Sequence, residues 1–137
     1  MKIVINRCYG GFGLSDAGMM RYAEIKGITL YPEDETYGKI YYTVPPELRQ
    51  PDIGDGFYKL SLDERHRYNK ISAEQRLYSG EIERDDPALV QTVEELGDES
   101  SGGYGELSVV EIPDDVLWEI EEYDGKEWVA EQHRTWS

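Results

Sequence analysis

The chain has 137 residues, 39% of them apolar, and a formal net charge of −15. That length suits one domain, and no apolar run approaches the roughly 20 residues of a membrane helix. The acidic balance works against direct binding of nucleic acid or an anionic membrane, since both reward positive charge, and permits instead a basic protein partner, a cation, or mimicry of a polyanion.

The charge is unevenly placed. Residues 1–80 hold eleven acids and eleven Lys or Arg, whereas residues 81–127 hold seventeen acids against Arg84 and Lys126. The whole surplus lies in that one stretch, and the expectation is that it gathers in space as it does in sequence. Tyrosine supplies much of the apolar content, eleven Tyr against two Phe. A phenol buries its ring but needs water or a partner for its hydroxyl, so the core should be thin, with half-buried rings. The lone Cys8 excludes an internal disulfide, and no metal-finger spacing is present. Asn6 and Arg7 interrupt the only apolar stretch near the N-terminus, so no signal-peptide pattern appears and a cytoplasmic location is expected.

In chain order, residues 2–27 read as strand, glycine-rich turn and helix. Ile3-Val4-Ile5 is a short β-branched run, as in a strand buried on both faces. Gly10, Gly11 and Gly13 free the backbone to turn. Ser15 is placed to cap a helix that carries Asp16 in its first turn and ends at Gly27. Residues 28–31 (ITLY) are a second strand candidate, and strand–helix–strand order predicts a right-handed crossover with parallel strands. Residues 32–35 read as a polar loop, and 39–44 (KIYYTV) as a strand ended by Pro45-Pro46. Residues 47–80 are the least regular segment. Residues 57–62 suggest a brief extended piece, and 63–78, whose apolar residues are too sparse for a firm helix stripe, read as helix in part or a long ordered loop.

Asp86-Pro87 opens a clear helix, with Asp86 as N-cap, Pro87 at the first helical position, and Leu89, Val90, Val93 and Leu96 on one face. Residues 107–112 form a strand, and Asp114-Asp115 a turn. Residues 118–123 and 126–131 flank Asp124-Gly125, a hairpin signal whose two-residue loop pairs Tyr123 with Lys126 and Glu121 with Trp128. One face of that hairpin carries Glu119, Glu121, Tyr123 and Trp128; on the other, Glu122 opposes Glu127, a like-charge pair that needs solvent or a cation. The expected fold is α+β over residues 1–137: a mixed sheet with an N-terminal strand–glycine turn–helix unit and a C-terminal antiparallel hairpin.

Three segments carry a resemblance: INRCYGGFGLS at 5–15, DDPALVQTVEELG at 85–97, and VEIPDDVLWEIEEYDGKEWVAEQHRTW at 110–136. Together they resemble small uncharacterised proteins commonly encoded by tailed bacteriophages and prophages. The resemblance implies a viral or prophage origin and a bacterial host cytoplasm; it implies no activity and assigns no residue a role.

Two candidate sites follow from the residues. Gly10, Gly11, Gly13 and Ser15 form a strand–turn–helix junction of the kind that binds anions such as nucleotide phosphates. The spacing is G-G-x-G, neither the dinucleotide fingerprint nor the P-loop Lys-Ser/Thr is present, and Asp16 at the helix start would repel a phosphate, so the leading reading is a tight strand-to-helix turn. Glu119, Glu121, Tyr123 and Trp128, with Trp136 of the terminal HRTW, form a partner-binding set, since Trp and Arg anchor interfaces. Cys8 with His133 lacks an orienting third group and reads as an ordinary thiol. The carboxylate runs Asp85-Asp86, Asp114-Asp115 and 119–127 read as solvated acids, and His66 as an exposed side chain without a role. No catalytic residue, metal site or cofactor is predicted. The leading expectation is a non-enzymatic acidic binding protein, a phage accessory factor acting on a host protein as an inhibitor or a DNA mimic. The alternatives are a small nucleotide or phosphate binder using the glycine turn, and a virion accessory subunit. The tyrosine-rich face and the hairpin edge also allow a homodimer.

Overall fold

The computed structural model describes residues 1–36 and 38–132. Among them the chain runs β1 (Lys2–Asn6), α1 (Asp16–Lys26), β2 (Tyr31–Glu35), β3 (Gly38–Tyr42), α2 (Leu62–Glu74), β4 (Arg76–Leu77), α3 (Pro87–Leu96), β5 (Leu107–Glu111), β6 (Trp118–Tyr123) and β7 (Lys126–Glu131). The class is α+β. The strands form three small sheets, β1–β5, β2–β3–β4 and β6–β7, and every pairing is antiparallel. The chain divides into two compact units: Met1–Gly27 together with the chain from Ser79 onward, and Ile28–Tyr78.

In the first unit, α3 lies on β1 and β5, and α1 packs against α3. Ile3 and Val4 are wholly buried and Ile5 nearly so. The α3 face behaves as its spacing predicts: Leu89, Val90 and Val93 are buried, each contributing about 1.5–3 kcal/mol of apolar transfer. Asp86 caps the helix by accepting the Ala88 N–H at 2.9 Å. The same carboxylate accepts from the Tyr22 hydroxyl at 2.7 Å, which ties α1 to the α3 cap. Tyr22 is buried. Burial and the neighbouring Asp86 carboxylate together push its phenol pKa well above the usual value. Burial works against ionisation of Asp86 as well, but hydrogen bonds from Tyr22, Ala88 and Lys26 outweigh it and hold the carboxyl below its ordinary range. Ser15 caps α1 and Gly27 ends it in the left-handed region at φ 75°.

The parallel crossover and the single mixed sheet are not formed. β1 pairs with β5, Ile3 opposite Val110 and Ile5 opposite Ser108. Its other edge is closed without a strand: the Val4 N–H donates to the Arg84 carbonyl at 2.8 Å, and the Asn6 N–H donates to the Glu127 carboxylate at 2.8 Å. A backbone carbonyl and a side chain thus occupy the place a parallel neighbour would take.

The second unit corrects the reading of residues 28–35. The strand is β2 at Tyr31–Glu35, so the supposed polar loop is itself the strand, paired with β3 through Pro32 opposite Tyr41 and Glu33 opposite Ile40. β2 lies at the edge of its sheet, where proline's missing N–H and a run of acids are tolerated. The supposed extended piece at 57–62 instead spans the end of a 3-10 turn, Gly54–Lys59, and the start of α2 at Leu62. The helix in part of residues 63–78 is α2, which ends at Glu74, before β4 at Arg76–Leu77. α2 is opened by a capping box in which the Ser61 hydroxyl accepts the Glu64 N–H at 3.2 Å and the Glu64 carboxylate reaches back to Ser61. The S-x-x-E spacing at 61–64 was the signal for it. No α2 residue is fully buried, which is why no apolar stripe marked the helix. Rings and guanidinium groups do the packing instead. Arg49 stacks on Tyr42 at 3.6 Å and pairs with Glu33 at 2.5 Å, and the Phe57 and Tyr68 rings sit 5.9 Å apart.

Candidate functional site: an acidic and aromatic hairpin face

Asp124 and Gly125 both take positive φ, 50° and 91°. That is the two-residue turn whose twist suits a right-twisted hairpin. The register is the expected one, Tyr123 opposite Lys126, Glu121 opposite Trp128 and Glu119 opposite Ala130. Strand alternation therefore sets Glu119, Glu121, Tyr123 and Trp128 on one face. Tyr123 is 67% and Trp128 44% exposed. The Trp128 indole N–H donates to the Glu121 carboxylate at 3.0 Å, which fixes the ring against the acid. Trp136 and His133 lie outside the described residues.

The opposite face holds the hairpin to the rest of the unit. Glu122 and Glu127 face one another as predicted, and each carboxylate has a separate partner. Glu122 accepts the Gly125 N–H at 2.8 Å. Glu127, whose side chain is only 9% exposed, accepts from both terminal guanidinium nitrogens of Arg84 at 2.6 and 2.8 Å. Arg84 also donates to the Val4 carbonyl at 3.3 Å and stacks over Phe12 at 3.6 Å. Beside it, the wholly buried Asn6 donates to the carbonyls of Cys8 at 2.7 Å and Gly125 at 2.8 Å and accepts the Glu106 N–H at 2.7 Å. Neither Asn6 nor Arg84 was singled out by sequence. The only available hint was that Arg84 stands as a cation inside an acidic run.

The structure places Gly10, Gly11, Gly13 and Ser15 on the turn between β1 and α1, where Gly10 lies against Tyr104 and the hairpin tip against Gly11. A Cβ on Gly10 would lie 2.4 Å from the Tyr104 backbone. One on Gly125 would lie 2.6 Å from the Gly11 nitrogen, so the hairpin tip sits on the glycine turn. The Gly13 carbonyl accepts the Gly102 N–H at 2.9 Å and the Ser15 N–H donates to Ser100 at 2.9 Å. The Ser15 hydroxyl accepts the Gly18 N–H at 3.0 Å and donates to the Glu99 carbonyl at 2.5 Å. Close packing against Tyr104 accounts for Gly10 and a positive φ of 81° for Gly11, whereas a Cβ on Gly13 would meet nothing within 4 Å. The Cys8 thiol lies 3.4 Å from the Glu106 carboxylate. That hydrogen bond, with burial and the charge of Glu106, pushes the thiol pKa up, away from a reactive thiolate. His66 is exposed on α2.

The acidic surplus is partly compensated by cations from the opening segment. Lys2 reaches Glu94 at 2.9 Å, Arg21 reaches Glu95 at 2.6 Å and Lys26 reaches Asp86 at 3.2 Å. The N-terminal amine pairs with Asp114. The cause is topological: β1 and α1 belong to the same unit as α3 and the hairpin, so cations from the opening segment meet acids from the closing one. Among the described residues, no group of three or more His, Cys, Asp or Glu is placed to hold a metal ion, and no helix is long and apolar enough to cross a membrane.

Fold and site together define an α+β protein with an acidic, aromatic hairpin face. No family model, curated protein or solved structure matches the chain.

Proposed function

We propose that this is a non-enzymatic binding protein, a phage or prophage accessory factor that engages a basic protein of the host through the outer face of β6–β7. The observation that carries the reading is the Glu121–Trp128 pair: an exposed indole locked by hydrogen bond to a carboxylate, with Glu119 and Tyr123 beside it on one face. Exposed Trp and Tyr supply contact area at small entropic cost, and neighbouring acids steer a basic surface into register.

The test is a pull-down from bacterial lysate at low and high salt, with three baits: the unaltered chain, Glu119→Lys/Glu121→Lys, and a control, Glu47→Lys/Asp63→Lys, altered in the other unit. The expected result is a basic protein retained at low salt by the unaltered and control baits and lost from the hairpin variant. Equal retention by all three baits overturns the reading.

A further inference from the structure

Among the described residues β6 has one neighbouring strand. It pairs with β7 in a two-stranded sheet, and the Gln132 N–H donates to the Leu117 carbonyl at 2.8 Å. That bond sets the alternation of the antiparallel ladder. Leu117/Gln132, Glu119/Ala130, Glu121/Trp128 and Tyr123/Lys126 are the hydrogen-bonded pairs, so the backbone N–H and C=O groups of Trp118, Ile120 and Glu122 point away from β7. Among the described residues no third strand takes them. An open edge of this kind is a template for one more strand.

We infer that β6 is completed by an extended segment of the partner that alternates basic and apolar residues, added antiparallel or parallel along the Trp118–Tyr123 edge. The alternation follows from the two faces. On the outer face a new strand would stand beside Glu119, Glu121 and Tyr123, which favour Lys or Arg. On the inner face it would stand beside Trp118 and Ile120, both half-buried, which favour Val, Ile or Tyr. Charge selects against a second copy of this chain: β6 against β6 would set Glu119, Glu121 and Glu122 against their own kind. The inference rests on the reading of the hairpin face as the partner surface and adds the geometry of the contact.

The test uses the full chain and two synthetic peptides, one of alternating Lys and Val and the same peptide N-methylated through its centre. The second keeps charge and side chains but cannot donate along a strand edge. Calorimetry is expected to show the N-methylated peptide bound about tenfold or more weakly, the loss of several net hydrogen bonds. Amide exchange is expected to slow at Trp118, Ile120 and Glu122 only with the unmodified peptide. Equal, salt-sensitive binding of both peptides overturns strand addition while leaving the charged face as the partner surface. Failure of both to bind overturns strand addition, and the lysate experiment then judges the face on its own. Exchange protection at those amides that rises with protein concentration, without peptide, overturns the inference in favour of a second copy.

Discussion

Arg84 and Lys126 are the two cations between residues 81 and 127, and Arg84 turns inward, onto Glu127, the Val4 carbonyl and the Phe12 ring. Its side chain is 20% exposed and that of Glu127 9%, so removal of one partner strands the other in a poorly solvated place. Arg84→Met should cost about 3 kcal/mol, the low end for breaking a buried pair. Arg84→Met/Glu127→Gln should recover more than half of that, because a neutral Gln still accepts the Asn6 N–H. Urea unfolding of the two variants checks this; a double variant no better than the single would show that lost packing, not a stranded charge, is responsible. Glu95 gives a pH prediction. Its hydrogen bond from Arg21, then that from Gln91, lowers the carboxyl from 4.5 to about 2. A folded-state pKa below the unfolded one means the stabilisation is complete above the unfolded value and is lost as pH falls from about 4.5 toward about 2. The difference in urea midpoint between the unaltered chain and Glu95→Gln should therefore be constant near neutrality and shrink across that acid window. A difference that stays the same at every pH would sink the assignment.

At the level of elements, the hairpin and the glycine turn act as one device. Asp124-Gly125 turns the hairpin tightly enough that its tip rests on Gly11, and Gly10 lies against the Tyr104 backbone. Gly11 has open space where a Cβ would go and is special only for its φ of +81°. Gly11→Ala should therefore cost about 1 kcal/mol, the left-handed penalty. Gly10→Ala must displace backbone and should cost about 2–3 kcal/mol, as overpacking does. Urea unfolding ranks the two, and a larger loss at Gly11 would contradict the packing account. The hairpin was legible in the sequence because its signals are local: a two-residue turn, then alternation on either side. α2 was less so, because a helix with no fully buried residue leaves no apolar stripe, only the Ser61–Glu64 cap. β2 was misread because an edge strand tolerates proline and acids, the marks of a loop.

For the molecule as a whole, the balance is between a net charge of −15 and a small number of pairs that bring cations from β1 and α1 onto the acidic stretch. The paired atoms lie 2.6–3.2 Å apart, inside any Debye length, and salt weakens them less than it weakens the long-range repulsion among the remaining acids. Sodium chloride should therefore raise the thermal midpoint, most steeply at low concentration. A midpoint that falls with added salt would mean the surface pairs outweigh the self-repulsion.

What the sequence determined by itself is what neighbouring residues decide between them. The caps at Ser15 and Asp86, the apolar face of α3, the buried β1 run and the register of β6–β7 all follow from propensity, periodicity and turn chemistry over a few residues. Tertiary structure alone decided the rest. It closed the second edge of β1 with Arg84 and Glu127 where a parallel strand was expected, turned the glycine run into a seat for the hairpin tip, and brought opening cations onto closing acids. Those outcomes depend on partners some 40 to 120 residues apart in the chain. No local pattern records such separations, because the free energy that selects them comes from burying a polar group against the one remote partner able to satisfy it.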